Sequence, residues 1–181
     1  PVEVTRVLVW GAFGTGRSLS YTLYYATTFV FTGLAVAVAF HGGLFNIGGE
    51  GQAIMGGLGT GLVALWWSAV LPAWVMLPVM EISGALFGMA WAAVPAYLQA
   101  YRGSHVVITT IMFNFIASSL LVYLLVNHLR PAGSMSVESV AFAASAQLPG
   151  VHQLLAVLGI DWPASPLNLS VLFAALAAIL V

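Results

Sequence analysis

Charged residues punctuate this chain so sparsely that the intervals between them define its elements. They stand at Glu3, Arg6, Arg17, Glu50, Glu81, Arg102, Arg130, Glu138 and Asp161. A helix rises about 1.5 Å per residue and needs about 20 apolar residues to cross a hydrocarbon core. Residues 19–40, 51–71 and 106–129 are charge-free stretches of that length, and residues 73–98 form a fourth, interrupted only by Glu81. Each predicts a spanning helix. The second ends in Trp66 and Trp67 before Pro72, and the third runs from Trp74 to Tyr97 and Tyr101. Aromatic residues at these ends suit the boundary between bilayer and water. Pro78, in the first third of the third span, predicts a kink. Residues 130–166 carry four prolines, two acids and three short apolar stretches, a pattern too broken to span. They predict an external loop with interfacial helices. Residues 167–181 open a fifth span that is short of a full crossing. With Pro1 in place of an initiator Met and no signal-peptide pattern before the first span, the chain reads as a piece of a longer protein. Residues 1–181 are then a single transmembrane domain, with further helices expected beyond both ends.

Composition narrows the class. Of 181 residues, 61% are apolar and 5% charged, and the mean hydropathy is +1.04. Soluble domains carry roughly 25% charged residues, and a domain of this length cannot hide so much apolar surface from water. Four scattered Arg and a net charge of -1 exclude a nucleic-acid partner, which needs a basic stripe against phosphates. The absence of cysteine removes disulfides and thiolate metal sites. The predicted fold is all-α, a polytopic transmembrane helix bundle in a lipid bilayer. The short Arg102 turn set against the long acidic loop places that turn inside, although Arg6 and Arg17 oppose the orientation this implies for the N-terminal segment.

One stretch departs from the helical pattern. His41-Gly42-Gly43-Leu44-Phe45-Asn46-Ile47-Gly48-Gly49-Glu50-Gly51-Gln52 joins the first two spans, and nine of the 19 glycines lie between Gly42 and Gly61. Glycine costs a helix about 1 kcal/mol relative to Ala and admits positive φ. Gly43, Gly48, Gly49 and Gly51 therefore predict a broken helix near the membrane midplane. Irregular backbone at that depth is tolerated only inside protein or along a water-filled cavity, and transporters build passages from such breaks. Asn46 or Glu50 is a candidate N-cap or first-turn acid for the following helix. Equally, Asn46, Glu50 and Gln52 are candidates to face a polar path for solute, and the two readings are compatible.

Gly57 and Gly61, and likewise Gly84, Gly88 and Ala92, recur every four residues, the small-residue spacing that lets helix backbones approach closely. Glu81 is either an ionisable group within a span, a functional candidate, or a headgroup-level residue on a helix beginning near Pro78. Ser104, His105, Thr109, Thr110 and Asn114 form a polar cluster at the entry of the fourth span. They either bond back to their own helix or a neighbour, or Thr109, Thr110 and Asn114 line a path for polar solute. The four histidines show no metal-ligand spacing, and no zincin helix, nucleophile elbow or phosphate loop is present. No metal, cofactor or catalytic residue is expected.

The run Thr32-Gly33-Leu34-Ala35-Val36-Ala37-Val38-Ala39-Phe40 leading into His41 to Gln52 closely resembles the signature of bacterial ABC importer permeases of the branched-chain amino acid, ribose and nucleoside superfamily. The branch it resembles is that of simple-sugar and nucleoside permeases, which work with basic-membrane-protein-type binding lipoproteins. Arg102-Gly103-Ser104-His105-Val106-Val107-Ile108-Thr109-Thr110-Ile111-Met112-Phe113-Asn114-Phe115-Ile116-Ala117 resembles a second segment of that branch, and the likeness extends from Gly11 to about Leu129. Ser104-His105 stands where the branch usually has Asn-Glu, His41 replaces a common Arg, and Glu81 matches no family position. The resemblance implies a multi-pass permease subunit of the bacterial inner membrane with no chemistry of its own. Its implied partners are a second related permease, cytoplasmic ATPase subunits and an external solute-binding lipoprotein, and its implied cargo is a nucleoside or simple sugar. Read from the residues without the resemblance, the competing function is a secondary transporter or channel working without ATP, which broken helices and Glu81 would also serve. An intramembrane enzyme would need a nucleophile or metal dyad that the spans lack.

Overall fold

The computed structural model describes all 181 residues. The chain is mostly helical, its only β feature being one isolated bridge between Gly150 and Asn168. Helices α1 (Val2–Phe13), α2 (Gly16–His41), α3 (Gly49–Trp67), α4 (Ala73–Arg102), α5 (Val106–Leu124), α6 (Val151–Val157) and α7 (Ser170–Leu180) follow in order. A π-helical turn, Leu125–Leu129, extends α5, and a 3-10 turn covers Ala144–Ala146. Three helical stretches are long and apolar enough to cross a membrane: Gly16–His41, Ala73–Arg102 and Val106–Leu129. The glycine-rich α3 has the length, at 19 residues, but Glu50 and Gln52 make its first turn polar. Only nine hydrophobic residues are buried, while large side chains such as Phe29, Ile82, Met89 and Phe115 face outward. This inversion of the soluble pattern belongs to a protein whose solvent is lipid.

Two compact units emerge, one of residues 1–38 with 148–181, the other of residues 39–147. In the first, α1 is an element that spacing between charges did not predict, because Glu3 and Arg6 interrupt its apolar run. The Thr22 hydroxyl donates to the Ala12 carbonyl at 2.8 Å, tying α2 to the end of α1. Ser20 is fully buried, and its hydroxyl accepts the Trp162 indole N–H at 2.7 Å while donating to the Gly16 carbonyl. A buried indole N–H without such an acceptor costs about 1–3 kcal/mol. The predicted loop at 130–166 carries α6, whose first amide, Val151 N–H, donates to the Leu167 carbonyl at 2.9 Å.

The second unit is a three-helix assembly in which α3 packs chiefly on α4 and also on α5. One apolar cluster joins Ala64, Met76, Met80 and Ala146, and another joins Met55, Leu58 and Ala117 with Trp91 and Leu120. Small residues set the α3–α4 approach. A methyl group at Gly84 would lie 2.6 Å from Thr60 Oγ1 and 3.4 Å from the Gly56 carbonyl oxygen, and one at Gly88 would lie 3.3 Å from the Gln52 carbonyl oxygen. On α3 the facing glycines are Gly56 and Gly59, the latter beneath the Phe87 ring. A methyl at Gly57 meets nothing within 4 Å, and one at Gly61 meets only Phe142 at 3.7 Å. The four-residue spacing on α3 therefore picked the neighbouring stripe. Ridges of a helix drift round the axis at 3.6 residues per turn, so adjacent glycines 56 and 57 point about 100° apart and spacing alone does not choose between them.

Helix α4 begins at Ala73, with Pro78 and Pro95 both inside it. The alternative start near Pro78 is thus corrected, and Glu81 lies in the third turn. Neither proline can donate to the carbonyl four residues earlier. Helix α4 closes on Gly103, whose φ of +67° is the left-handed cap geometry that glycine adopts without strain.

Candidate functional site

The break between α2 and α3 is built by two different uses of glycine. Helix α2 ends in a Schellman cap. The Gly43 amide donates to the Phe40 carbonyl at 3.0 Å, the Leu44 amide donates to the Ala39 carbonyl at 2.9 Å, and Gly43 takes φ +73°. That pair of bonds satisfies carbonyls at the end of a helix and needs a residue at ease in the left-handed region. Gly48 and Gly51 serve close approach instead. A methyl at Gly48 would come within 2.9 Å of Asn46 Oδ1 and 3.2 Å of Thr110 Cβ. At Gly51 it would come within 2.9 Å of Asn114 Oδ1 and 3.1 Å of Trp91 Nε1. Gly49 has open space around it.

Helix α3 then starts with amides that have no partner four residues back, the orphan donors of any helix N-terminus. Its N-cap residue is Gly48, which has no side chain to bond them. Asn114 of α5 does so from 63 residues away. Its Oδ1 accepts the Gly51 amide at 2.8 Å, and its Nδ2 donates to the Ile47 carbonyl at 3.0 Å. One carboxamide thus grips both sides of the junction, an acceptor before the helix and a donor within its first turn. Asn46 Oδ1 accepts the Gly48 amide at 2.8 Å, closing an Asx turn, and its Nδ2 reaches Gln52 Oε1 at 3.4 Å.

Half of the capping expectation holds and half is revised. Glu50 is the first-turn acid and is exposed, Asn46 stands two residues before the N-cap Gly48, and the side-chain acceptor for the Gly51 amide comes from α5. Nothing local signals that role for Asn114, because it depends on α5 packing against α3. Thr109 and Thr110 bond back to their own helix, Thr109 to the His105 carbonyl at 3.0 Å and Thr110 to the Val106 carbonyl at 2.8 Å.

Beside the junction lies a cleft of about 140 Å³ lined by Ala39, Leu44, Asn46, Gln52, Ala92, Pro95, Ala96, Gln99, Val106 and Thr110. The structure therefore brings together Asn46, Gln52 and Thr110, three of the residues selected from sequence. Glu50 and Thr109 are not in its lining, and Asn114 holds the backbone next to it. Gln99 and Pro95 were not anticipated. Their position one to two turns before the Gly103 cap, on the helix facing α3, is the signal that three-dimensional packing supplies. No group of His, Asp or Glu is arranged to hold a metal ion.

Against known proteins, residues 18–181 match the family described as branched-chain amino acid transport system, permease component. The chain is 34% identical over 173 residues to a guanosine ABC transporter permease of Bacillus subtilis, covering 94% of this chain and 46% of that one. It is 33% identical over 155 residues to a glucose ABC transporter permease of Haloferax volcanii, covering 86% and 40% respectively. A nucleoside ABC transporter permease of Lactococcus lactis is 38% identical over 115 residues, 60% of this chain and 31% of that one. No solved structure matches. The chain spans less than half the length of these curated relatives. With nearly its whole length inside the family match and an apolar, outward-facing helical surface to go with it, the chain belongs to the permease-component family of branched-chain amino acid transport systems.

Proposed function

We propose that the full-length protein is a multi-pass permease subunit of an ATP-driven importer in the bacterial inner membrane, carrying a nucleoside or a simple sugar. The observation that supports this most is the α2–α3 break, held open by Asn114 beside a cleft with carboxamide side chains. Backbone interrupted within an apolar helix pair serves a passage, since lipid cannot satisfy its polar groups. The relatives named for guanosine, nucleoside and glucose transport support the cargo class. In this reading the protein pairs with a second related permease, two cytoplasmic ATPase subunits hydrolyse ATP, and an external lipoprotein delivers solute. The path passes Asn46, Glu50, Gln52, Thr110 and Asn114, and Thr109 lies next to it.

The test is solute uptake in cells that depend on the full-length protein. Asn46→Leu removes the turn that aims Gly48 into α3, and Glu50→Ala removes a carboxylate that is exposed at the first turn of α3. Each variant is expected to reach the membrane in normal amount and to lower uptake several-fold. Normal uptake in both would reduce these residues to structural parts and remove the path from this junction.

A further inference from the structure

The cleft beside the break has a chemistry that discriminates between the two cargo classes. Six of its ten lining residues are apolar: Ala39, Leu44, Ala92, Pro95, Ala96 and Val106. The remaining four are Asn46, Gln52, Gln99 and Thr110, and none is ionisable. Two of these are already committed, since Asn46 Oδ1 accepts from Gly48 and the Thr110 hydroxyl donates to its own helix. Gln52 uses only its Oε1, in a long 3.4 Å contact with Asn46, which leaves its amide hydrogens free. The Gln99 carboxamide makes no hydrogen bond within the protein at all, so both its donor and its acceptor are available.

An uncharged wall disfavours a zwitterion, whose two charges would be desolvated without a counter-charge. A hexose carries hydroxyls round its entire ring, and in a cleft with so few polar groups most of them would lose water without replacement. A heterocyclic base differs in both respects. Its faces are flat and suit apolar walls, and its polar atoms are confined to one edge where donors and acceptors lie side by side. A carboxamide presents the same paired donor and acceptor, which is why Gln and Asn bind base edges bidentately. At about 140 Å³ the cleft is smaller than the roughly 300–1,000 Å³ of a pocket that takes a whole small ligand, so it suits one moiety of the solute.

We infer that this cleft is a nucleobase subsite, with Gln99 and Gln52 reading the polar edge of the base and Leu44, Ala92, Ala96 and Val106 enclosing its faces. The inference rests on the permease reading above and narrows its cargo to nucleosides.

The experiment measures uptake of radiolabelled guanosine, uridine and glucose by cells expressing the complete transporter, with membrane abundance and ATPase co-purification scored in parallel. Expected is nucleoside uptake without glucose uptake, and in Gln99→Leu a fall of about tenfold in uptake at subsaturating nucleoside, the scale of one lost hydrogen bond to a bound ligand. Membrane abundance and ATPase association should remain normal. Gln99→Glu, nearly isosteric, should show the same loss and serves as the readout if the Leu variant fails to accumulate. Glucose uptake without nucleoside uptake, or nucleoside uptake unchanged in both Gln99 variants, would overturn the subsite and leave the permease reading standing. Uptake of none of the solutes together with no associated ATPase would overturn both.

Discussion

Asn114→Leu is expected to cost the protein more than any other single side-chain change at the α2–α3 break. Leucine has the branched heavy-atom skeleton of asparagine but bonds neither of its partners. The Gly51 amide loses its acceptor and the Ile47 carbonyl loses its donor at once. Gly51 is buried, so water does not readily replace the lost acceptor. The stranded Gly51 amide costs about 1–3 kcal/mol against a folding free energy of about 5–15 kcal/mol, and the Ile47 carbonyl, in an exposed bond, adds less. Asn114→Asp keeps an acceptor for Gly51 and places a negative charge at a helix N-terminus, where the dipole favours it, but gives up the bond to Ile47. Thermal unfolding of the detergent-purified full-length protein should therefore rank wild type above Asp and Asp above Leu, with transport lost in the Leu variant. Equal midpoints for wild type and Leu would mean that α5 does not hold the end of α3.

The second large effect is expected at Gly84, and its contrast is Gly57. A side chain at Gly84 meets Thr60 Oγ1 at 2.6 Å with the Gly56 backbone behind it, and backbone cannot swing aside as a side chain can. Gly84→Leu must push α3 and α4 apart, and overpacking of this kind costs about 1–3 kcal/mol or more. The same separation disturbs the Ser83 hydroxyl bond to the Gly59 carbonyl and the Thr60 hydroxyl bond to the Met80 carbonyl. A Cβ at Gly57 meets nothing within 4 Å, and Gly57→Leu removes a glycine from a helix interior, which is worth up to about 1 kcal/mol in favour of the helix. Size-exclusion profiles should show Gly84→Leu largely aggregated or absent and Gly57→Leu monodisperse. The reverse result would place the packing stripe on the Gly57 face.

These two sites show what the sequence could and could not reveal. Periodicity in charge and apolarity located long helices because lipid imposes a simple rule on every residue facing it. Helix α2 starts three residues before the stretch read from sequence, α3 ends four residues before its stretch does, and α4 runs on to Arg102. Those ends are set by caps and turns such as Gly103, which hydropathy does not register. Helix α1 escaped for the same reason, since two charges on one short helix look like a loop edge. Glycine clustering located the break, because a helix tolerates few glycines without cause. It did not distinguish Gly43, needed for its φ, from Gly48 and Gly51, needed for close approach, or from Gly49, where space is open. Asn114 was visible as one polar residue among several, but its role as a cap required knowing that α5 lies against α3. Gln99 was not legible at all: a single glutamine near a helix end has no local signature, and only the shared cleft with Gln52 gives it meaning.

The central claim is that this chain belongs to the membrane-spanning subunit of an importer powered by separate ATPases. Purification of the full-length protein from native membranes in mild detergent tests it most directly, with co-purifying partners identified by mass spectrometry. The account predicts stoichiometric recovery of an ATPase subunit and a second related permease, with a solute-binding lipoprotein joining when solute is present. An intact, folded protein recovered with no ATPase would contradict it and return the α2–α3 break to a transporter that runs on an ion gradient.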